Sequence, residues 1–325
     1  MLLNRRIILY GSLIVIFGLL FFLIRNPVFF IESPLDPKHL KSDQYNLRHH
    51  VEILAAAKPA RTFKNPEALE TAADYISGKI EEYGLVSKKM GFVVNDKTYY
   101  NVVTHLGPSD GEAIVIGAHY DAFDELPGAD DNASGVAGLL ELARMLAPMN
   151  DKLKRPVILV AYSLEEPPNF RTENMGSFVH AQMMKNQGRS IKLMISLEMI
   201  GYFKDESGSQ DYPIPGLSFL YSSTGNFISI VGRYEEWSII RDIKSRFMSA
   251  TDLPVYSANI SKNIPGVDYS DHANYWDQGF PAVMITDTAF MRNPNYHEKT
   301  DTPETLNYRL MSEVVNGVYA VIVGL

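Results

Sequence analysis

Two carboxylates stand side by side at Asp130 and Asp131, inside the stretch GADDNASG at residues 128–135 and directly before VAGLLELARML, which has the spacing of an amphipathic helix. One acid there has a plain use, because Asp, Asn and Ser cap helix N-termini and negative charge suits the positive end of the helix dipole. A second adjacent acid adds repulsion unless a cation lies against the turn. Related side chains occur in four other places: His119 and Asp121 in HYD, Glu165 and Glu166 in SLEE, Glu198 in SLEM, and Tyr296 and His297 in YHEKTDT. Imidazole and carboxylate without thiolate form a donor set that suits zinc, and a carboxylate beside a metal suits general-base work. Singly, each group has a bland role: His119 as a satisfied core histidine, Glu165 and Glu166 as a solvated loop pair, Glu198 as an ion-pair partner.

The elements that carry these groups argue against the bland roles. Four short apolar runs, AIVIGA at 113–118, VILVAY at 157–162, LMISL at 193–197 and AVMIT at 282–286, are spaced by longer segments, and each leads into one of the groups. HLKSDQYNLRHHVEILAAA and NPEALETAADYISGKIEEYGL have helical spacing, the second with Leu69, Ala72, Ala73, Ile76 and Ile80 on one face. The pattern predicts an α/β fold, a single three-layer α/β/α sandwich around a mostly parallel sheet buried on both faces. Ligands in such sheets gather at the carboxyl ends of the strands. Apolar strands that repeatedly deliver acids and histidines there would crowd buried negative charge without compensation. A metal supplies the compensation, and a bridging acid between two ions gives the doubled aspartate a purpose.

HYD, GADDNASG, SLEE, SLEM, SDHANYW at 270–276 and YHEKTDT together resemble the co-catalytic zinc exopeptidases of clan MH, the family of bacterial leucyl aminopeptidases and glutamate carboxypeptidase. The six motifs occur in the expected order within residues 46–325. The resemblance implies that His119 and Glu198 bind one Zn2+, that Glu166 and His297 bind a second, and that Asp131 bridges them, with Asp130 and Ser134 serving the turn and the helix cap. It implies Glu165 as general base, Asp121 as the acid that fixes the His119 tautomer, and a peptide substrate; the acidic neighbours and the metal would position a free amino terminus, so an aminopeptidase is expected. Tyr296 has two roles open to it, an oxyanion donor or a packing group. One position departs from the pattern: Glu198 stands where the well-known aminopeptidases have Asp. His272, although a histidine in a motif, is given no metal. Carboxypeptidase or dipeptidase action needs a cation for the substrate carboxylate, and Arg171 and Arg292 are the candidates. Glutaminyl cyclases share the fold with one zinc and without the full bridged set. A receptor-like ectodomain that has lost catalysis should lack ligands or the base, and none is missing here.

The rest of the chain bounds the reading. Its 325 residues, 46% apolar and 21% charged, suffice for one large core. A net charge of −8 offers no basic stripe for nucleic acid. The absence of cysteine excludes disulfides, thiol catalysis and a lipoprotein anchor. IILYGSLIVIFGLLFFLI at 7–24 is free of charge and long enough to cross a bilayer as a helix. Arg5 and Arg6 before it favour a cytoplasmic N-terminus and an extracytoplasmic body. The expected organisation is therefore a cytoplasmic segment at 1–6, a transmembrane signal-anchor at 7–24 in the cytoplasmic membrane, a tether at 25–45 and the zinc exopeptidase domain at 46–325. Phe203 to Val267, rich in Tyr, Ser, Gly and Pro, is expected to form strands and loops around a specificity pocket.

Overall fold

The computed structural model describes residues 2–31 and 41–325, without the side chains of residues 2–9 and Leu13. Eight strands form one sheet: β1 (Ser87–Val94), β2 (Lys97–Leu106), β3 (Ala113–His119), β4 (Val157–Tyr162), β5 (Ile191–Glu198), β6 (Ile228–Gly232), β7 (Val255–Asn259) and β8 (Ala282–Thr286). Their order is β1-β2-β4-β3-β5-β8-β6-β7. The four runs picked out by hydrophobicity are the central strands β4, β3, β5 and β8, and they are mutually parallel. The flanks are not. β2 runs antiparallel to β4, β6 antiparallel to β8, and β1 and β2 form an antiparallel hairpin. β6 and β7 are parallel to each other, so the sheet is mixed, with four of its seven pairings parallel and the mostly parallel expectation met at its centre. The hairpin has a local cause: Asn95 and Asp96 both take positive φ, 48° and 60°, in a two-residue turn that forces the chain straight back.

Alternation along the central strands divides the core into two layers. Ile114, Ile116, Leu159 and Ile195 pack toward α2 (Gln44–Ala55), α3 (Pro66–Glu82), α4 (Gly135–Leu146), α6 (Trp237–Ala250) and α8 (Tyr308–Gly324). Val115, Ile158, Val160 and Met194 pack the other way, against α5 (Gly176–Asn186) and α7 (His272–Asp277). Each fully buried aliphatic side chain contributes about 1.5–3 kcal/mol of transfer free energy. The strand ends are therefore fixed points. On α3 the predicted face, Leu69, Ala72, Ala73, Ile76 and Ile80, is the buried one.

The N-terminal helix α1 runs from Leu2 to Arg25. Among the described residues no helix is long and apolar enough to cross a membrane. The span read at 7–24 includes Ile7, Ile8, Leu9 and Leu13, whose side chains lie outside the described ones, as do residues 32–40 of the expected tether.

One buried cation braces the loops above the sheet. Arg61, 1% exposed, donates from Nε to the Tyr120 carbonyl at 2.8 Å, from Nη2 to Gly128 O at 2.9 Å and from Nη1 to Pro127 O at 3.0 Å and to Leu54 O. Burial pulls its guanidinium down only to about 10, so it stays charged at neutral pH. Replacement by methionine fills similar volume but strands four carbonyls, each unsatisfied buried acceptor costing about 1–3 kcal/mol. Arg61→Met is expected to lower unfolding free energy by at least about 3 kcal/mol in urea titrations of the metal-loaded protein. A loss below about 1 kcal/mol would show that those carbonyls find other partners.

Candidate metal centre

The carboxyl ends of three adjacent strands deliver the first groups. β3 ends on His119, β5 ends on Glu198, and β4 is followed by Glu165 and Glu166. Asp131 comes from the irregular turn Ala129–Ser134 and His297 from the loop after β8. Three turns in this region need left-handed backbone at residues other than glycine: Leu164 at φ 63°, Met199 at φ 50° and His297 at φ 55°. Such residues are strained and persist only where surrounding contacts hold them.

Those contacts are specific. Asp121 accepts the backbone N–H of Glu165 at 3.1 Å and of Glu166 at 3.0 Å, and its Oδ1 lies 3.5 Å from His119 Nδ1. The Asp121 carboxylate thus fixes the glutamate pair, while the Asp121 main-chain carbonyl, 3.2 Å from His119 Nδ1, holds the imidazole with the carboxylate beside it. Asp301 accepts the N–H of Asp130 at 2.9 Å and of Asp131 at 3.1 Å. Asp130 points away from the ligand set, accepting from Gly201 N at 3.0 Å and Asn293 Nδ2 at 2.8 Å. Burial and the neighbouring Asp287 raise the Asp130 carboxyl well above its usual range, which suits a protonated structural role. Ser134 does not cap α4: its Oγ donates to Asp130 O at 2.7 Å and accepts from Ile200 N at 3.0 Å, tying the turn to the chain beyond β5. The flanking glycines are steric necessities. Gly128 has φ 56°, and a Cβ there would meet Asp131 O and the Ala122 Cβ; at Gly135 it would meet Leu197 O.

The result is two groups of ligand atoms sharing one member, His119 with Asp131 and Glu198, and Asp131 with Glu166 and His297. His119 Nε2 lies 3.4 Å from Asp131 Oδ1 and 3.4 Å from Glu198 Oε2. His297 Nε2 lies 3.1 Å from Asp131 Oδ2 and 3.4 Å from Glu166 Oε1. Asp131 thus turns one oxygen to each group. His297 Nε2 and Glu166 Oε1 are buried and make no hydrogen bond. Donor atoms converging at these distances without bonding one another fit a cation between them. Glu165 Oε2 stands 3.9 Å from His119 Nε2, outside both groups.

Electrostatics agree. Burial raises Glu166 to about 8, with Asp131 adding to it, and raises Glu165 well above the usual carboxylate range, with Glu166 and Glu198 adding to it. Burial opposes charge on His297, but contact with Asp131 and Glu166 outweighs it and carries the ring to about 10. His119 is raised in the same way, burial being overcome by Glu198 and Glu165. Each of these shifts favours the protonated form, as a cluster of buried acids and imidazoles with no metal between them should.

Several neighbours had no role in the sequence reading. Ser270 donates to Glu198 Oε2 at 2.7 Å, anchoring the side chain that is one methylene longer than in the family pattern. Phe123 stacks on His297 at 4.0 Å between centroids, and Tyr296 covers the ring's other face at 3.8 Å. Tyr296 therefore packs against a candidate metal ligand. Asp301 lies four residues after His297 in the same motif, the only hint available. His272 is apart from the centre, bonded to Val267 O at 2.8 Å and set edge-on to Trp276. Arg171 is paired with Asp268, and Arg292 is buried, bonding Gln210 Oε1 at 2.8 Å and Phe227 O at 2.9 Å. Beside the centre opens an apolar pocket reaching Glu198 and Tyr296, with Tyr212, Tyr221, Phe227 and Met284 in its walls.

With this geometry in view, comparison with known proteins is decisive at one level. The pattern of peptidase family M28 matches residues 101–322. The chain belongs to peptidase family M28. It is a hydrolase acting as a metallopeptidase, in a family generally dependent on zinc. It is 46% identical over 293 residues to the uncharacterized protein YfbL of Escherichia coli (strain K12), covering 88% of each chain. It is 26% identical over 225 residues to leucine aminopeptidase 1 of Metarhizium robertsii, covering 64% of this chain and half of that one. Among solved structures, LapB from Legionella pneumophila superposes with a TM-score of 0.69 at 24% identity, over 94% of this chain and 79% of that one. A glutaminyl cyclase from Bacteroides thetaiotaomicron superposes with a TM-score of 0.66 at 18% identity, over 89% of this chain and all of that one. These superpositions establish the shared fold.

The proton-filled state of the M28 centre has a measurable signature. A group that holds its proton more tightly folded than unfolded contributes less stability as pH rises between its two pKa values. Glu166, at about 8 against 4.5, and His297, at about 10 against 6.5, both behave so. The melting temperature of the chelated protein is expected to fall steadily from about pH 5 to about pH 9. Zinc-loaded protein should lose most of that slope, because the ligands bind deprotonated, and adding zinc near pH 7 should release protons into weakly buffered solution. A chelated protein that gains stability over this range would contradict the assignment.

Proposed function

We propose that this M28 peptidase is a membrane-anchored aminopeptidase that works with two zinc ions. The observation that carries the reading is the division of Asp131, one oxygen toward His119 and Glu198 and the other toward Glu166 and His297. Bound there, zinc would polarise the scissile carbonyl and lower the pKa of a water molecule. Glu165 takes the proton of the attacking water and hands it to the leaving amine, a role that its raised proton affinity and its place outside both ligand groups suit. Asp121 keeps Glu165 and His119 in register throughout. Phe123 and Tyr296 hold the His297 ring between them, and the Tyr296 hydroxyl is available as an oxyanion donor.

Substrate polarity follows from the charges nearby. An acid-rich centre suits a free amino terminus, and the apolar pocket beside it suits a bulky aliphatic or aromatic first residue. Resemblance to leucine aminopeptidases supports the same direction. Carboxypeptidase action is disfavoured because Arg171 and Arg292 are both engaged elsewhere. The cyclase alternative needs one zinc, and the complete second group at Glu166 and His297 counts against it. Anchoring in the cytoplasmic membrane with the catalytic body outside rests on the uncharged run at 7–24 and on Arg5 and Arg6 before it.

The adjacent glutamates separate the roles. Glu165→Gln is expected to keep both metals and to lose turnover of leucyl amides by at least about a hundredfold. Glu166→Gln should lose zinc at one site, because an amide is a poor substitute for a carboxylate donor. Zinc content and hydrolysis measured side by side decide it: full activity with one zinc in the wild type would end the two-ion reading. Preferential action on N-terminal glutamine with release of ammonia would replace it with cyclization.

A further inference from the structure

The end of the N-terminal helix is clipped to the catalytic domain. Asn26 is fully buried; its Nδ2 donates to Trp237 O at 2.5 Å and its Oδ1 accepts from Arg241 Nε at 3.1 Å. The Arg25 carbonyl accepts from Ser257 Oγ at 2.8 Å and from Lys244 Nζ at 3.0 Å. Phe22 packs on Trp237 with centroids 5.6 Å apart, and Ser245 Oγ donates to Phe30 O at 2.9 Å. Residues 22–30 therefore lie along α6 and β7 through side-chain and backbone contacts at both ends, an arrangement unlike a loose tether.

The Arg25 side chain extends the contact to the pocket. Its guanidinium lies 4.7 Å from the centroid of Tyr256 and 5.4 Å from that of Tyr221. Tyr221 stacks on Tyr212, and both line the apolar pocket; Tyr256 packs at 4.6 Å against Phe227, which lines it too. Tyr221 is further fixed by its hydroxyl, which donates to the carbonyl of Ser257 at 2.7 Å, the same residue whose Oγ holds Arg25. A cation over both rings thus holds one wall residue, Tyr221, directly and supports a second, Phe227, through Tyr256 packed behind it. None of these Arg25 contacts touches a metal ligand.

We propose that Arg25 is a positioning residue for the substrate pocket: by backing Tyr221 and Tyr256 it sets the shape of the wall against which the substrate's first side chain packs. Selectivity for a bulky first residue then depends on a segment more than seventy positions ahead of the family match, which begins at residue 101. The inference rests on the aminopeptidase reading for its substrate and on the clip alone for its geometry.

The test uses the full chain in detergent, with leucyl and alanyl 4-nitroanilides as probes and amide hydrogen exchange over residues 212–221 as a readout independent of activity. Arg25→Ala is expected to lower kcat/KM for the leucyl probe by about threefold or more, through KM, with a smaller change for the alanyl probe, and to speed exchange over 212–221. Arg25→Lys, which keeps a cation over the rings, should recover at least half of the selectivity. Lys244→Met, which loosens the Arg25 carbonyl without altering its side chain, should shift selectivity in the same direction. Equal losses on both probes, or no loss, with exchange over 212–221 unchanged, would overturn the proposal. Should the wild type hydrolyse neither probe, the aminopeptidase reading fails by itself, and exchange in Arg25→Ala still decides the clip: faster exchange supports it and unchanged exchange ends it.

Discussion

Mutual repulsion among buried acids is the constraint around which this protein is organised. Asp121, Asp131, Glu165, Glu166 and Glu198 all lie within one end of the sheet, each no more than 6% exposed. Carboxylates in such a place stay charged only if something positive or some N–H group answers them. Backbone amides answer Asp121, Ser270 and the imidazoles answer others, and the remainder is left to a cation. Much of the local architecture follows from that need. Left-handed turns at Leu164, Met199 and His297 aim the donors, and Arg61 below them ties down the loops from which two of the motifs emerge.

The second acid of GADDNASG shows how unevenly such a site is shared. Asp131 faces the donors on both sides, whereas Asp130, one residue earlier, is turned into the scaffold and bonded to Gly201 and Asn293. Asp301 holds the backbone of both. Adjacent identical side chains thus belong to different chemistry, one favoured in its charged form by the imidazoles beside it and the other pushed toward its protonated form by burial and Asp287.

The centre of the sheet was legible because β3, β4, β5 and β8 are buried on both faces, so that nothing interrupts their apolar runs, and because each leads to a group whose type announces it. The flanks were not. β1, SKKMGFVV, is half exposed, and β6 and β7 are five residues each within a Tyr- and Ser-rich stretch that also hides helix α6. Strand direction is invisible to hydrophobic periodicity, so the antiparallel flanks could not be read. Ser134 illustrates a different limit: serine before a helix is a good cap in isolation, but here the Ile200 amide, 66 positions along, claims its oxygen. Asp301, Ser270 and Phe123 act on the candidate ligands only through the folded chain, and residue type alone gave them no distinguishing mark.

The position of Arg25 to Phe30 has one more consequence. β7 is the last strand of the sheet on its side, and the end of α1 lies against it. Outermost strands offer unpaired backbone to other chains and are usually guarded. At the opposite margin β1 carries Lys88 and Lys89, charges that discourage pairing between molecules. At β7, VYSAN, there is no charge at all, and the guard is the N-terminal segment itself. A chain begun at residue 41 would keep every candidate ligand yet bare that margin together with Trp237 and Tyr256, leaving a body prone to self-association through the strand its N-terminal segment covers.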